Sequence, residues 1–282
     1  MLFVDTVFLR PYVFVFLAVY LVGCSLHMGM KRALLFAVAG YVIAWLSECS
    51  SIHNGFPYGR YYYLDGTRGK EIWVLGVPLM DSISYVFLAY ASYSLALLVY
   101  SPLRRSRWFV YVLETKKIRD SVQVRILGSL LFVYLDIIID PVALRGNRWF
   151  LGQIYGYPEQ GVYFGVPLSN FIGWLVVGFS MIYVLQKIDR YLQRKESPDL
   201  IGYKYPWRFM IGPILYFGVL VFNLSVTFFI REQLLGWTGI FIVLLPAFLL
   251  YVIVSGKISR ENVETALADH YRDFPPAMAG EL

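Results

Sequence analysis

Residues 208–231 read RFMIGPILYFGVLVFNLSVTFFIR, with no charged side chain between Arg208 and Arg231. About 20 apolar residues in a helix cross the hydrocarbon core of a bilayer, so this stretch is long enough to span one. Comparable gaps run from Arg10 to Lys31, Asp81 to Arg104, Glu159 to Lys187 and Glu232 to Lys257. Two weaker stretches complete the set: Ala33 to Ser47, which ends at Glu48, and Ile126 to Leu144, which contains Asp136 and Asp140. The pattern predicts an all-α polytopic membrane bundle of about seven transmembrane helices, near 11–30, 33–50, 79–101, 123–141, 167–187, 208–230 and 236–255. They form a single membrane domain over 1–282, with residues 256–282 as a charged cytoplasmic tail. At 58% hydrophobic and 16% charged residues, a disordered chain, a disulfide-stapled module and a soluble nucleotide-binding domain are all disfavoured.

The net charge of +6 does not point to nucleic acid, because its distribution follows the membrane. With the N-terminus outside, 18 of the 25 Lys and Arg residues fall on inner segments, as the positive-inside rule requires. The expected protein is integral to the cell membrane, N-terminus outside and C-terminus cytoplasmic. Asp5 and the lack of a basic leading segment make the first span a retained helix rather than a cleaved signal. Cys24 and Cys49 fall toward opposite faces, too far apart to bridge.

Leu75-Gly-Val-Pro-Leu-Met-Asp81 is echoed by Phe164-Gly-Val-Pro-Leu-Ser-Asn170. Each copy opens a helix, with a proline suited to the first turn and a polar residue three positions later, Asp81 or Asn170. Upstream of each lies a ring-rich loop, preceded by a helix that ends in acid: Glu48 in one case, Asp136 and Asp140 in the other. The spacing is 28 residues from Glu48 to Gly76 and 29 from Asp136 to Gly165. Helices 2–3 and 4–5 are therefore expected to be an internal repeat whose ends converge on one site.

Ionisable side chains inside a span are costly and mostly face the bundle interior. The spacing of four puts Asp136 and Asp140 on one helix face; their structural alternative is pairing with Arg60, Arg145 or Arg148 from the loops. Glu48, Asp136 and Asp140 lie near helix C-termini, where dipole and burial both disfavour the anion, so at least one is expected as a protonated general acid. Asp81 sits in a first turn that favours the ionised form, with neutral Asn170 in the equivalent place, and these two are expected to place water. The loop rings, Phe56, Tyr58, Tyr61, Tyr62, Tyr63 and Trp73 in the first and Trp149, Phe150, Tyr155, Tyr157, Tyr163 and Phe164 in the second, suit an interfacial belt. They would also stabilise a carbocation by cation–π attraction, as isoprenoid chemistry demands.

Glu48 to Tyr63 (ECSSIHNGFPYGRYYY), Gly76-Val-Pro78, Asp140-Pro141, Trp149 and Tyr163 to Trp174 (YFGVPLSNFIGW) resemble the integral-membrane carotenoid biosynthesis proteins, the family typified by carotenoid 1,2-hydratases and bisanhydrobacterioruberin hydratase. The resemblance covers roughly Ala44 to Trp174. It implies hydration of the terminal 1,2 double bond of an acyclic carotenoid: an acid protonates C2, charge develops at tertiary C1 and water attacks there. It implies no redox cofactor and no metal, with carotenoid, water and membrane lipid as partners. On the matched positions it points to Glu48 and Asp140 for proton transfer, supported by Asn170 and Arg60. Tyr58, Tyr61, Trp149, Tyr163 and Trp174 are expected around substrate and water, while His53 stays open between a proton relay and an ordinary loop residue. The segment after Pro78, LMDSISYVF, does not match closely and leaves the substrate open.

Other isoprenoid chemistry, cyclase or prenyltransferase, and a proton-coupled transporter are the alternatives. Asp136 and Asp140 have the spacing of one metal–diphosphate motif, but the sequence contains no second one. A retinal protein is excluded because the last span, Trp237 to Ser255, lacks a lysine. His27, His53 and His270 have no ligand-like spacing.

Overall fold

The computed structural model describes residues 2–105, 110–148, 152–193, 206–260 and 263–275. Its helices are α1 (Leu2–Leu9), α2 (Pro11–Met28), α3 (Met30–Asn54), α4 (Leu79–Tyr100), α5 (Lys116–Arg119), α6 (Val122–Ala143), α7 (Leu168–Gln193), α8 (Ile211–Phe229), α9 (Gln233–Arg260) and α10 (Val263–Asp273). Seven of them, α2, α3, α4, α6, α7, α8 and α9, are long and apolar enough to cross a membrane. The protein is an integral membrane helix bundle. Both weak spans are full helices, and Pro141 falls in the last turn of α6, where little helix remains to disrupt. Among the described residues, three two-stranded ladders occupy the loops: β1 (Tyr62–Tyr63) with β6 (Tyr155–Gly156), β2 (Trp73–Val74) with β3 (Val77–Pro78), and β4 (Leu103–Arg105) with β5 (Val110–Val112).

Helix α4 is the axis, packed against α2, α3, α6, α7 and α8. Of its most apolar window, 83% is buried, against 6% for α9, which lies at the periphery with Phe241, Leu245 and Phe248 exposed. In lipid, apolar burial does not drive helices together, so close approach of small residues must. Accordingly Ala89, Ala91, Ser92, Ser94 and Ala96 of α4 are all buried, and Gly128 of α6 lets that helix approach the backbone of Ser92 and Tyr93.

The end of the bundle remote from the ring-rich loops is locked by buried charge. Glu114 accepts hydrogen bonds from His27 Nε2 at 2.9 Å and Arg119 Nε at 2.6 Å, and Arg32 pairs with Asp189 at 2.7 Å. The expected charged tail is not simply solvated. Helix α9 continues to Arg260, and α10 docks through His270, whose Nδ1 meets the Glu114 carbonyl at 2.6 Å. The strong amphipathicity of Val263–Asp273 explains this: its apolar face needs a surface to cover.

Burial would raise the Glu114 carboxyl, but His27 and Arg119 outweigh it and hold it down to about 2. A depressed acid contributes stability that is fully present above its unfolded value near 4.5 and lost as pH falls through about 2. Between pH 5 and 2 the detergent-solubilised protein should lose on the order of 3 kcal/mol from this group. Glu114→Gln should flatten that part of a thermal-unfolding pH profile; parallel profiles would show that Glu114 is not responsible.

Candidate functional site

Both copies of the GVPL motif form the same turn. Val74 pairs with Val77 across Leu75-Gly76, and Tyr163 with Val166 across Phe164-Gly165. The central residues have positive φ in each: 49° and 86° in the first, 50° and 95° in the second. That is the pattern of a type I′ hairpin, which glycine accommodates readily. The first turn is tied to the preceding helix α3 by Trp45 Nε1 to the Val74 carbonyl at 3.0 Å, and the second to the segment just past the end of α6 by Arg145 to the Phe164 carbonyl at 3.0 Å. Each then hands the chain to a helix whose first turn carries Asp81 or Asn170. The β1–β6 ladder joins the two loops, pairing Tyr63 with Tyr155.

Beneath that ladder lies a cavity of about 150 Å³ into which both halves of the repeat project. Glu48, Asp81, Asp136, Asp140 and Asn170 line it together with Tyr58, Tyr61, Tyr63, Tyr155, Tyr157 and Trp174. Its floor is aromatic: Tyr85 stacks on Trp174 at 4.6 Å and 17°, and Phe132 packs against Trp174 at 4.7 Å. Tyr58 meets Trp174 and Tyr61 edge-on or tilted at 6.4 and 6.3 Å.

The acids are held by side chains from both loops and both following helices. Glu48 accepts from Tyr63 at 2.9 Å and from Ser82. Asp140 accepts from Tyr155, from Tyr157 at 2.7 Å and from Asn170 Nδ2 at 3.0 Å. Asp136 accepts from the same Asn170 nitrogen at 2.7 Å, and its Oδ1 is buried without a partner among the described residues. Asn170 thus bridges both carboxyls. Burial first, then the adjacent Asp140, pushes the phenols of Tyr155 and Tyr157 well above their usual range, so both stay donors. Burial and Glu48 do the same for Tyr63.

The structure brings Glu48, Asp81, Asp136, Asp140, Asn170, Tyr58, Tyr61 and Trp174 to one cavity. It does not bring Arg60, His53 or Tyr163 there. Arg60 is exposed, and His53, five residues beyond Glu48 on α3 and so on another face, is exposed and bonds back to the Cys49 carbonyl at 2.7 Å. Tyr163 is half-buried and packs against Phe164 and Phe171 instead. Trp149 and Phe150 lie outside the described residues. Nor do the loop arginines neutralise the acids: Arg145 holds the carbonyls of Pro141 and Phe164, and Arg148 pairs with Glu232. Asp81 is not simply a first-turn charge, since Arg10 binds it at 2.6 Å and Glu71 at 2.8 Å. That cluster had no local signal in the sequence, where Arg10 only marks the edge of a span. Ser82 was hidden in the unmatched segment, and the donor roles of Tyr63, Tyr155 and Tyr157 were hidden in an ordinary interfacial composition.

No solved structure matches the chain. Among curated proteins, bisanhydrobacterioruberin hydratase of Haloarcula japonica (strain ATCC 49778 / DSM 6131 / JCM 7785 / NBRC 101032 / NCIMB 13157 / TR-1) is 27% identical over 180 residues, 62% of this chain and 53% of the relative. The chain therefore matches about half the length of that relative. The carotenoid biosynthesis protein family matches residues 8–246, a range that holds every carboxyl of the cavity, and the chain belongs to that family.

Proposed function

We propose that the protein is a carotenoid hydratase that adds water across the terminal 1,2 double bond of an acyclic carotenoid. The observation that carries this reading is the joint lining of one intramembrane cavity by two acid centres and an aromatic wall, in a chain of the carotenoid biosynthesis family. A lipid-soluble polyene end fits such a wall. Proton transfer to C2 leaves charge at tertiary C1, and the faces of Trp174, Tyr85 and Tyr61 offer cation–π stabilisation of about 0.5–2 kcal/mol each. Water then bonds to C1 and loses a proton, giving a tertiary alcohol without redox change.

The acid roles divide by hydrogen-bond supply. Three donors converge on Asp140, which favours its anion, and one on Asp136, whose Oδ1 is free to carry a proton, so the pair is read as one bridged unit that shares a single proton and delivers it to the substrate. Glu48 stands across the cavity as a second acid. The orientation that fits the basic loops puts this site at the outer end of the bundle.

The test is expression in a host accumulating lycopene and in another accumulating bisanhydrobacterioruberin, with pigments separated by chromatography and weighed by mass spectrometry. A more polar pigment, heavier by one water per modified end and unchanged in polyene absorption, is the expected result. Unaltered pigments beside membrane-inserted protein would overturn it. Glu48→Gln should leave the protein inserted and lower alcohol formation about 10²-fold or more, the scale of general acid–base catalysis; undiminished product would remove Glu48 from the proton path.

A further inference from the structure

The cavity has a polar corner that the acid pairs do not explain. Arg10, in the break between α1 and α2, is 2% exposed and reaches Glu71 of the first loop and Asp81 of α4. Glu71 is 1% exposed. Each of the three residues keeps one polar atom buried and without a partner among the described residues: Arg10 Nε, Glu71 Oε2 and Asp81 Oδ2. A fourth, Thr67 Oγ1, belongs to the same turn, whose carbonyl accepts from the Glu71 amide at 3.2 Å. Buried polar groups are almost always satisfied, and orphans of this kind ordinarily bind ordered water. Ion pairing does not require them: two of the three side chains spend one oxygen each on Arg10 and hold the other back. Arg10 and Asp81 themselves line the cavity, so the cluster adjoins it.

We infer that Arg10, Thr67, Glu71 and Asp81 form a water-binding site that holds the second substrate and delivers it to the cavity. The inference rests on the hydratase reading. The buried guanidinium and hydroxyl orient water oxygen, while the free carboxylate oxygens accept its hydrogens. When the acid has given its proton to C2, the water oxygen forms its bond to C1. The resulting oxonium passes its surplus proton to Asp81, and exchange with water returns that proton to the acid, so atoms and charge balance over the cycle. A mixed charge set suits neutral water: Arg10 already offsets one of the two carboxylates, leaving little attraction for an anion. Water has to be held in place here, because a cation in an otherwise aromatic cavity reverts by losing a proton from C2 or from a methyl group on C1.

Deuterium separates the two halves of the reaction. In deuterated water, protonation followed by reversal puts deuterium into recovered polyene, whereas capture by water gives labelled alcohol. Glu71→Gln keeps an oxygen for Arg10, and Thr67→Val keeps the shape of its turn. Both variants should form alcohol at least about tenfold more slowly, within the range by which misplaced reactants slow catalysis, while deuterium still enters recovered polyene as fast as in the parent or faster. If both hydrate at the parental rate, or if exchange and hydration fall together, the water site is refuted and the hydratase reading stands. If the parent protein gives neither alcohol nor exchange, the hydratase reading itself fails and takes this inference with it.

Discussion

Asp140→Asn should abolish alcohol formation, by about 10²–10⁴-fold if proton transfer is its role, while the protein inserts and folds. Three donors point at Asp140: Tyr155, Tyr157 and Asn170. An amide in its place cannot deliver a proton to carbon, and its nitrogen faces donors where an acceptor stood. The geometry also specifies a control. Asn170→Asp keeps the shape but replaces the bridging nitrogen by a third oxygen among carboxyls, so it should impair the pair as a unit, and Asp140→Asn added to it should cost little more, since residues acting as one unit are not additive. Full additivity in turnover of the double variant would mean that the bridge does not couple the two acids.

The second large effect is structural. A Cβ on Gly173 would lie 2.5 Å from Tyr58 Cδ1, 2.7 Å from Tyr58 Cα and 2.8 Å from the Pro57 carbonyl carbon. Two of those atoms are backbone and cannot swing away. Gly173→Ala therefore forces α7 and the first loop apart, moving Tyr58 and Trp174, which line the cavity. Overpacking of this kind costs about 1–3 kcal/mol and occasionally more. A clear drop in thermal stability in detergent, with at least a tenfold fall in activity, is expected, against no change for Gly218→Ala, where the added carbon meets nothing within 4 Å. Equal stability of the two variants would show that the loop gives way without cost.

What the sequence revealed and what it hid follow from the range of the forces involved. Span positions are legible because lipid acts on every residue of a helix, so even the acid-bearing α6 emerged where the gap from Arg125 placed it. The repeat was legible through Gly76 and Gly165, whose positive φ makes a turn with a fixed local signature. The convergence of Glu48, Asp136, Asp140 and Asn170 followed from that symmetry. Arg10 and Glu71 did not, because a pair 61 residues apart in the chain leaves no periodic trace. Arg60, expected beside the acids, lies exposed away from them, and His53 stayed open, for the opposite reason: proximity in sequence to Glu48 says nothing about which way a helix face or loop turns.

Attribution of the added oxygen tests the central claim most directly. Protein purified in detergent, given an acyclic carotenoid in heavy-oxygen water, should yield an alcohol that carries the heavy oxygen and an unaltered polyene chromophore, and the Asp140→Asn protein should yield none. An oxygenated product without the label, or label incorporated equally by the Asp140→Asn protein, would contradict acid-catalysed hydration in this cavity.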